Sequence, residues 1–394
     1  MIKVAFLGSN YSMDWIGGVN YLSNLCFAIS KMECRKIEPV IFLGVNANSL
    51  IVNKLSPNVK IIQNSIFDRN SPKWFLSKII ERIFGTNFLV ERILIKNDIF
   101  VISHSNIIRG YKNFIKINWI TDFQHIHFPG FFSVNENNRR NNHFLNILKQ
   151  SDRVIVSSFD AYEDAKKFCP MYVSKLKVLQ FTSQIPQEIS FFSQHNLDRL
   201  QKKYGFDGIY FYLPNQLWKH KNHMLIFKAI KLLKDNGIEV LLICSGSLND
   251  YRDPQYIEEV NLFLNKNELK QNIKLLGLID YEDVLHFMKY SLAVINPSLF
   301  EGWSSTVEEC KSMGKDMILS DIPIHREQNS KNSLYFNPNN LDEAASILKS
   351  VWMGSGSVKS HNRLEQETLN NLNKRTLAFA SKYQSIILEA VSSR

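Results

Sequence analysis

Two carboxylates, Glu301 and Glu309, are separated by seven residues in the stretch SLFEGWSSTVEECKSMGK, residues 298–315. Between them lie Ser304, Ser305 and Thr306, small hydroxylated residues of the kind that open helices. A helix starting at about Ser304 is therefore expected. Its first N–H groups have no partner inside the helix, and its positive dipole end suits an anion such as a phosphate. Glu309, roughly a turn on, can accept hydrogen bonds from two adjacent hydroxyls. Glu308 is rotated from it by about 100° and should face elsewhere. The competing reading is an N-cap with first-turn acids, which stabilises any helix.

Three further segments carry polar groups at strand ends. In NQLWKHKNHMLIFKAI, residues 215–230, Lys221 stands at the mouth of a helix, where an ammonium can meet a diphosphate. His220 and His223 read as surface residues, because no third ligand accompanies them to hold a metal. In INWITDFQHIHFPGFFS, residues 117–133, Asp122, His125 and His127 follow a strand. A histidine there can serve as a base or a substrate contact, or simply pack in a hydrogen-bonded loop; His104 carries the same ambiguity. In GSNYSMDWIGGVNYL, residues 8–22, Gly17 and Gly18 permit close backbone approach at a helix start. That segment is not GxGxxG and does not specify a nicotinamide dinucleotide.

The elements that must position these groups alternate along the chain. Apolar runs at IKVAFLG, EPVIFLG, NVKIIQ, DIFVISH, KINWITD and DRVIVSS read as strands, with helical segments between several of them. After a break at about residues 180–205, read as a linker, the pattern restarts with GIYFYLP, EVLLICSG, NIKLLGL and LAVINPS. Buried strands alternating with helices predict an α/β chain with parallel, doubly wound sheets. At 394 residues the chain is too long for one ordinary core. The expected domains are residues 1–185 and 205–374, with a helix at about 375–394 that could close the second domain or cross back to the first. Ligands of open parallel sheets bind at the carboxyl ends of the strands, so both domains are expected to face a central cleft with those ends.

Composition narrows the partners. Five scattered cysteines form no CxxC pair, which argues against a zinc site or disulfide framework and for a reducing compartment. MIKVAFLGSN reads as a first strand, not a signal peptide, and no apolar run approaches the roughly 18 residues of a membrane span. A cytoplasmic location is expected. The formal net charge of +10 asks for an anionic partner: nucleic acid, lipid headgroups or a phosphorylated small molecule.

Together the four segments resemble a retaining glycosyltransferase of family 4 with the GT-B fold, across nearly the whole chain. The most specific part is the pair Glu301 and Glu309 within PSLFEGW and EECKSMGK, followed by LSDIPIHREQ. The resemblance implies transfer of a sugar from a nucleotide-diphosphate-sugar donor to a hydroxyl acceptor, a saccharide or a lipid-linked saccharide, in surface polysaccharide assembly. It implies that Glu309 holds the ribose hydroxyls, and that Lys221 with the amides around Ser305 holds the diphosphate. Gln216, Thr306, Gly17 and Gly18 join the donor-binding set. Glu301 contacts the donor sugar near the reacting centre. His125 contacts sugar or acceptor, beside Asp122 and His127. Family members often carry an arginine five or six residues before the lysine, where this chain has Asn215 and Gln216. No Asp-x-Asp occurs, so neither a metal nor another cofactor is expected.

Two other classes compete. A nucleotide-sugar epimerase on the same fold would release free sugar without an acceptor. A basic protein binding nucleic acid or an anionic surface would have no use for Glu301 and Glu309 beside a phosphate site; nucleic acid is not among the expected partners. The segment SPKWFLSKIIERIFGTNFLVERILIK, residues 71–96, alternates apolar and basic residues. It suggests peripheral contact with an anionic membrane, with packing against the N-terminal sheet as the competing reading.

Overall fold

The computed structural model describes residues 1–8, 16–105, 110–186, 189, 193–250, 252–328, 330–354 and 365–394. Residues 1–183 and 373–394 form one unit, and residues 184–372 a second. In the first unit lie strands β1 (Ile2–Leu7), β2 (Ile37–Leu43), β3 (Lys60–Gln63), β4 (Val101–Ser103), β5 (Ile115–Ile120), β6 (Arg153–Val156) and β7 (Leu176–Val178). They pair in the order β3-β2-β1-β4-β5-β6-β7, every pair parallel. The second unit holds β8 (Phe211–Leu213), β9 (Leu242–Cys244), β10 (Ile273–Leu275), β11 (Val294–Asn296), β12 (Met317–Ser320) and β13 (Ser333–Phe336). Their order is β10-β9-β8-β11-β12-β13, again all parallel.

The expected α/β class with two doubly wound parallel sheets is what the chain adopts. Its strands are apolar runs because helices cover both sheet faces. Val4, Ala5 and Phe6 are all buried, as are Phe211, Tyr212 and Leu213. In each unit the strand order reverses beside the first strand: β1 lies between β2 and β4, and β8 between β9 and β11. The connections leave to opposite sides at that point and open a crevice at the carboxyl ends.

Three strands escaped the sequence reading: β7, β12 and β13. Each has at most four residues, too few to show a period against the neighbouring helices. The stretch read as a linker contains a helix, Gln194–Tyr204, inside the second unit. Arg199, Lys203 and Tyr204 hold it there by converging on the buried Asp283 at 2.8, 2.6 and 2.7 Å. The final helix, Glu365–Ser392, lies partly in each unit. Within the first, Gln384 accepts from the Lys36 amide at 2.6 Å and Tyr383 is fully buried.

The segment from residue 71 differs from a core-packed stripe. Ser71 caps the helix Pro72–Phe84 through the Trp74 amide, and Gly85 ends it in the left-handed conformation. Only Ser77 and Ile80 of this helix are buried. Phe75, Leu76, Ile79, Ile83 and Phe84 are half exposed or more, reaching 68% for Ile83, and Lys73, Lys78 and Arg82 are exposed among them. Phe88, opening the next helix, meets Phe84 edge to face and is also exposed. No described helix is long and apolar enough to cross a membrane.

Candidate functional site

Asn296, the last residue of β11, organises the second unit's crevice. Its Oδ1 accepts from Asn215 Nδ2 just beyond β8 at 2.9 Å, so a buried hydrogen bond bridges the two strands at the order reversal. Its Nδ2 donates to Ser304 Oγ at 3.0 Å, and Ser298 Oγ lies 2.8 Å from its Oδ1. One amide side chain thus fixes both ends of the loop that carries Glu301. Gly246, after β9, closes the other side. Its φ is +129°, and a Cβ there would lie 2.7 Å from the Asn215 carbonyl oxygen, so only glycine fits.

The helix expected at Ser304 spans Ser305–Met313, with Ser304 as its N-cap, accepting from the Val307 amide. Ser305 is exposed. Thr306 is buried with its hydroxyl 3.5 Å from Asn215 Oδ1, so toward an anion it offers its amide and not its side chain. Glu309 is buried, and Tyr281 donates its hydroxyl to Glu309 Oε1 at 2.7 Å. Burial and the Glu309 charge push the Tyr281 phenol far up, so it stays a donor. Trp303 is half-buried, not exposed.

Lys221 ends the short 3-10 turn Lys219–Lys221, ahead of the helix His223–Asp235. Between them Asn222 adopts φ +57° and donates from Nδ2 to the Pro338 carbonyl at 2.9 Å. The His220 carbonyl accepts from the Leu299 amide at 2.8 Å, tying this turn to the Glu301 loop. Lys221 Nζ therefore reaches Glu301 Oε1 at 2.6 Å, with side chains 15% and 10% exposed. Ser298 Oγ lies 2.7 Å from the same oxygen. Burial alone would raise the Glu301 carboxyl; Lys221 outweighs it and holds the group below the usual carboxylate value. Gln216 is half-buried beside Asn215.

His220 and His223, read as surface residues, are both buried. Burial, reinforced by the Lys221 charge, lowers them to about 2 and about 3, so both are neutral. Among the described residues, no group of three or more His, Cys, Asp or Glu is placed to hold a metal ion.

The remaining candidates lie in the first unit. Gly17, exposed, and Gly18, buried, lie in the first turn of the helix Ile16–Ser30; Ser9–Trp15 fall outside the described residues. Asp122 accepts from the Gln124 amide at 3.0 Å and so starts the turn Gln124–His127. His125 is buried against Phe144, and its Nε2 donates to Asn141 Oδ1 at 2.9 Å. His127 is exposed and pairs with Asp164 at 2.7 Å. His104 is a core residue between Tyr21 and Ser103, lowered to about 3 by burial.

The sequence reading missed Tyr281, Asn296, Gln328 and a role for Glu308. Glu308 does point away from Glu309, but into a buried network and not outward. Lys311 Nζ donates to its Oε1 at 2.9 Å and Gln328 Nε2 at 3.1 Å. The Gln328 amide also donates to the Ser304 carbonyl, and its oxygen accepts from the Ser304 N–H. Glu308→Gln should therefore lower unfolding free energy by about 1–3 kcal/mol in chemical denaturation and leave nucleotide affinity nearly unchanged. An equal loss of affinity would show that Glu308 faces the ligand.

Residues 198–370 match the family model described as glycosyl transferases group 1. A curated relative, the O-antigen chain mannosyltransferase RfbU of Salmonella typhimurium, is 24% identical over 159 residues. That match covers 40% of this chain and 42% of the relative, so it spans less than half of that protein's length. Among solved structures, Anabaena HepE in complex with UDP and glucose has a TM-score of 0.66 at 16% identity, covering all of both chains. Sucrose-phosphate synthase from Thermosynechococcus elongatus has 0.65 at 13%, covering 99% of this chain and 100% of that one. These likenesses are of fold. With the strand-order reversal in each unit, they show a chain of the GT-B fold, and its residues 198–370 are the part that matches the group 1 glycosyl transferase model.

Proposed function

We propose that the protein transfers a sugar from a nucleotide-diphosphate-sugar to a hydroxyl acceptor, with retention of configuration, in the assembly of a surface polysaccharide. The observation that carries this is the Lys221–Glu301 pair beside the open first turn of the helix Ser305–Met313, with Glu309 buried one turn deeper. Lys221 and the amides of Ser305 and Thr306 neutralise the diphosphate, as ammonium groups and helix N-termini do. Gln216, Gly17 and Gly18 complete the donor contacts. Glu309, steadied by Tyr281, accepts from the ribose hydroxyls. Glu301 contacts the donor sugar. Asp122, His125 and His127 serve sugar or acceptor, a saccharide or lipid-linked saccharide. The charge needed is supplied by side chains and helix dipole, so the transfer is read as independent of metal ions and cofactors.

The relatives leave the donor open: one is named a mannosyltransferase, and another holds UDP and glucose. The location proposed is cytoplasmic, with the helix Pro72–Phe84 resting on the membrane's anionic face. Its exposed Phe75, Ile79, Ile83 and Phe84 offer apolar burial, while Lys73, Lys78 and Arg82 offer charge complementarity. All five cysteines are unpaired, as suits a reducing compartment.

GDP-mannose, UDP-glucose, UDP-galactose and ADP-glucose are the first panel, read by thermal stabilisation. Stabilisation by none of them would overturn the donor site; release of free sugar without acceptor would favour an epimerase. Lys221→Ala should weaken nucleoside diphosphate binding about ten- to a hundredfold, the equivalent of one charged hydrogen bond, and leave the free nucleoside nearly unaffected. Equal losses for both would remove Lys221 from the diphosphate. Transfer should persist in excess EDTA and yield product of the donor's anomeric configuration by NMR. Co-sedimentation with vesicles should rise with anionic lipid content and fall in the double variant Ile83→Ser, Phe84→Ser; binding indifferent to lipid charge would remove the membrane from this reading.

A further inference from the structure

The segment LSDIPIHREQ has been given no chemical task beyond Gln328. It leaves β12 and forms the short helix Pro323–Gln328, on which His325 is completely buried. His325 Nδ1 lies 2.8 Å from the Ser320 carbonyl oxygen. A carbonyl only accepts, so Nδ1 carries the proton and the neutral ring keeps its lone pair on Nε2. That nitrogen is buried and has no hydrogen-bond partner. Such an acceptor is costly to leave unmade, and it invites the question of when Nε2 is used.

The charges around His325 supply an answer. Glu301 acts to protonate the ring and Lys221 to keep it neutral, from the loop after β11 and the turn after β8. Burial is the larger influence, and the net effect holds the imidazole below its ordinary value. On its own helix, Arg326 is turned outward to Asp321 at 2.6 Å. On the helix Ser305–Met313, Glu308 is satisfied by Lys311 and Gln328. From β13, Tyr335 reaches only the His325 backbone carbonyl, at 3.4 Å. Lys221 and Glu301 are thus the two charges that decide the ring's protonation. In this structure they cancel one another at 2.6 Å.

We propose that His325 is a positioning residue that takes up one proton on Nε2 when a diphosphate draws Lys221 away from Glu301. The inference rests on the donor-binding reading of Lys221. A diphosphate competes for the Lys221 ammonium; Glu301, 10% exposed, then loses its counter-charge. Proton transfer from solvent to Nε2 replaces it, giving a buried imidazolium that keeps the carboxylate ionised and in place against the donor sugar. The Ser320 carbonyl continues to accept from Nδ1–H, so the ring does not turn. His220 and His223 are less suited to this. Burial holds them at about 2 and about 3, and Lys221 acts on both while Glu301 is not among the charges that raise them.

The sign follows by linkage. A group whose affinity for protons is higher in the complex than in the free protein makes binding take up protons. Donor affinity is then greatest below the value in the free protein, and falls as pH rises from there through the value in the complex. The diphosphate of a nucleotide-sugar has no ionisation near neutral pH, so the ligand itself contributes none of the uptake.

The test is calorimetric titration of the full-length protein with GDP-mannose or UDP-glucose, in buffers of differing ionisation enthalpy. Wild-type protein should take up a fraction of a proton approaching one. Its affinity should weaken as pH rises from about 6 to about 8, by up to about tenfold per unit. His325→Asn, whose amide can still donate to Ser320, should lose both the buffer dependence and the pH slope. Binding without proton uptake in the wild type overturns the inference and leaves the donor site standing, and it needs no variant. Uptake persisting unchanged in His325→Asn assigns the proton to another group and also overturns it. Failure of the wild type to bind either nucleotide-sugar overturns the donor reading and the inference together.

Discussion

A single buried hydrogen bond, Asn215 Nδ2 to Asn296 Oδ1, spans the point where strand order reverses in the second unit. In a parallel sheet the two connections leaving that point diverge. The asparagine pair joins them at their base, and the Leu299 N–H donating to the His220 carbonyl joins them further out. Through Ser304 and Ser298 the same Asn296 sets where the next helix begins and where Glu301 stands. Asn215 in turn forbids a side chain at Gly246 by the closeness of its carbonyl. An arginine at position 215, as many family members have nearby, would place a long cation where this chain places a crosslink. Lys221 in turn is held against Glu301, on the loop the crosslink defines.

Placing Lys221 against Glu301 has an energetic consequence. Two largely buried charges give up hydration that their attraction repays only with good geometry and further hydrogen bonds, so such pairs are weak contributors to stability. Here Ser298 supplies one further bond to the carboxylate. A pair retained at marginal benefit, at the mouth of a crevice, is the pattern of a functional site. It also keeps the cation from being fully available to stray anions in the unliganded protein.

The legibility of this arrangement in the sequence followed how local each cause was. The helix start at Ser304 was readable because N-cap chemistry is written within four residues, and Lys221 because it directly precedes a helix. Glu308 could be placed on a different face from Glu309 by rotation alone, but its partners Lys311 and Gln328 depend on a later helix folding back. Tyr281 lies 28 positions before Glu309, with no spacing rule to connect them. His220 and His223 look like parts of a basic surface run; burial of one face of their turn under the Leu299 loop reverses that reading. The helix Gln194–Tyr204 was hidden for a similar reason. It exposes a polar surface, buries Leu200 alone, and adds charges meeting at Asp283, which hydrophobic periodicity does not report.

The net charge of +10 is not gathered in the ion pairs around the crevice. Around the crevice, cations are matched one for one: Lys221 with Glu301, Lys219 with Asp253, Arg252 with Asp250, and Lys311 with Glu308. The crevice is therefore lined by charges already paired within the protein. On the helix Pro72–Phe84 the balance is different. Among the described residues, Lys73 and Arg82 are exposed beside apolar side chains that are half exposed or more, and Lys78 is paired with Glu81. Exposed pairs of that kind are worth little and are screened by salt, so the stripe presents nearly its full charge.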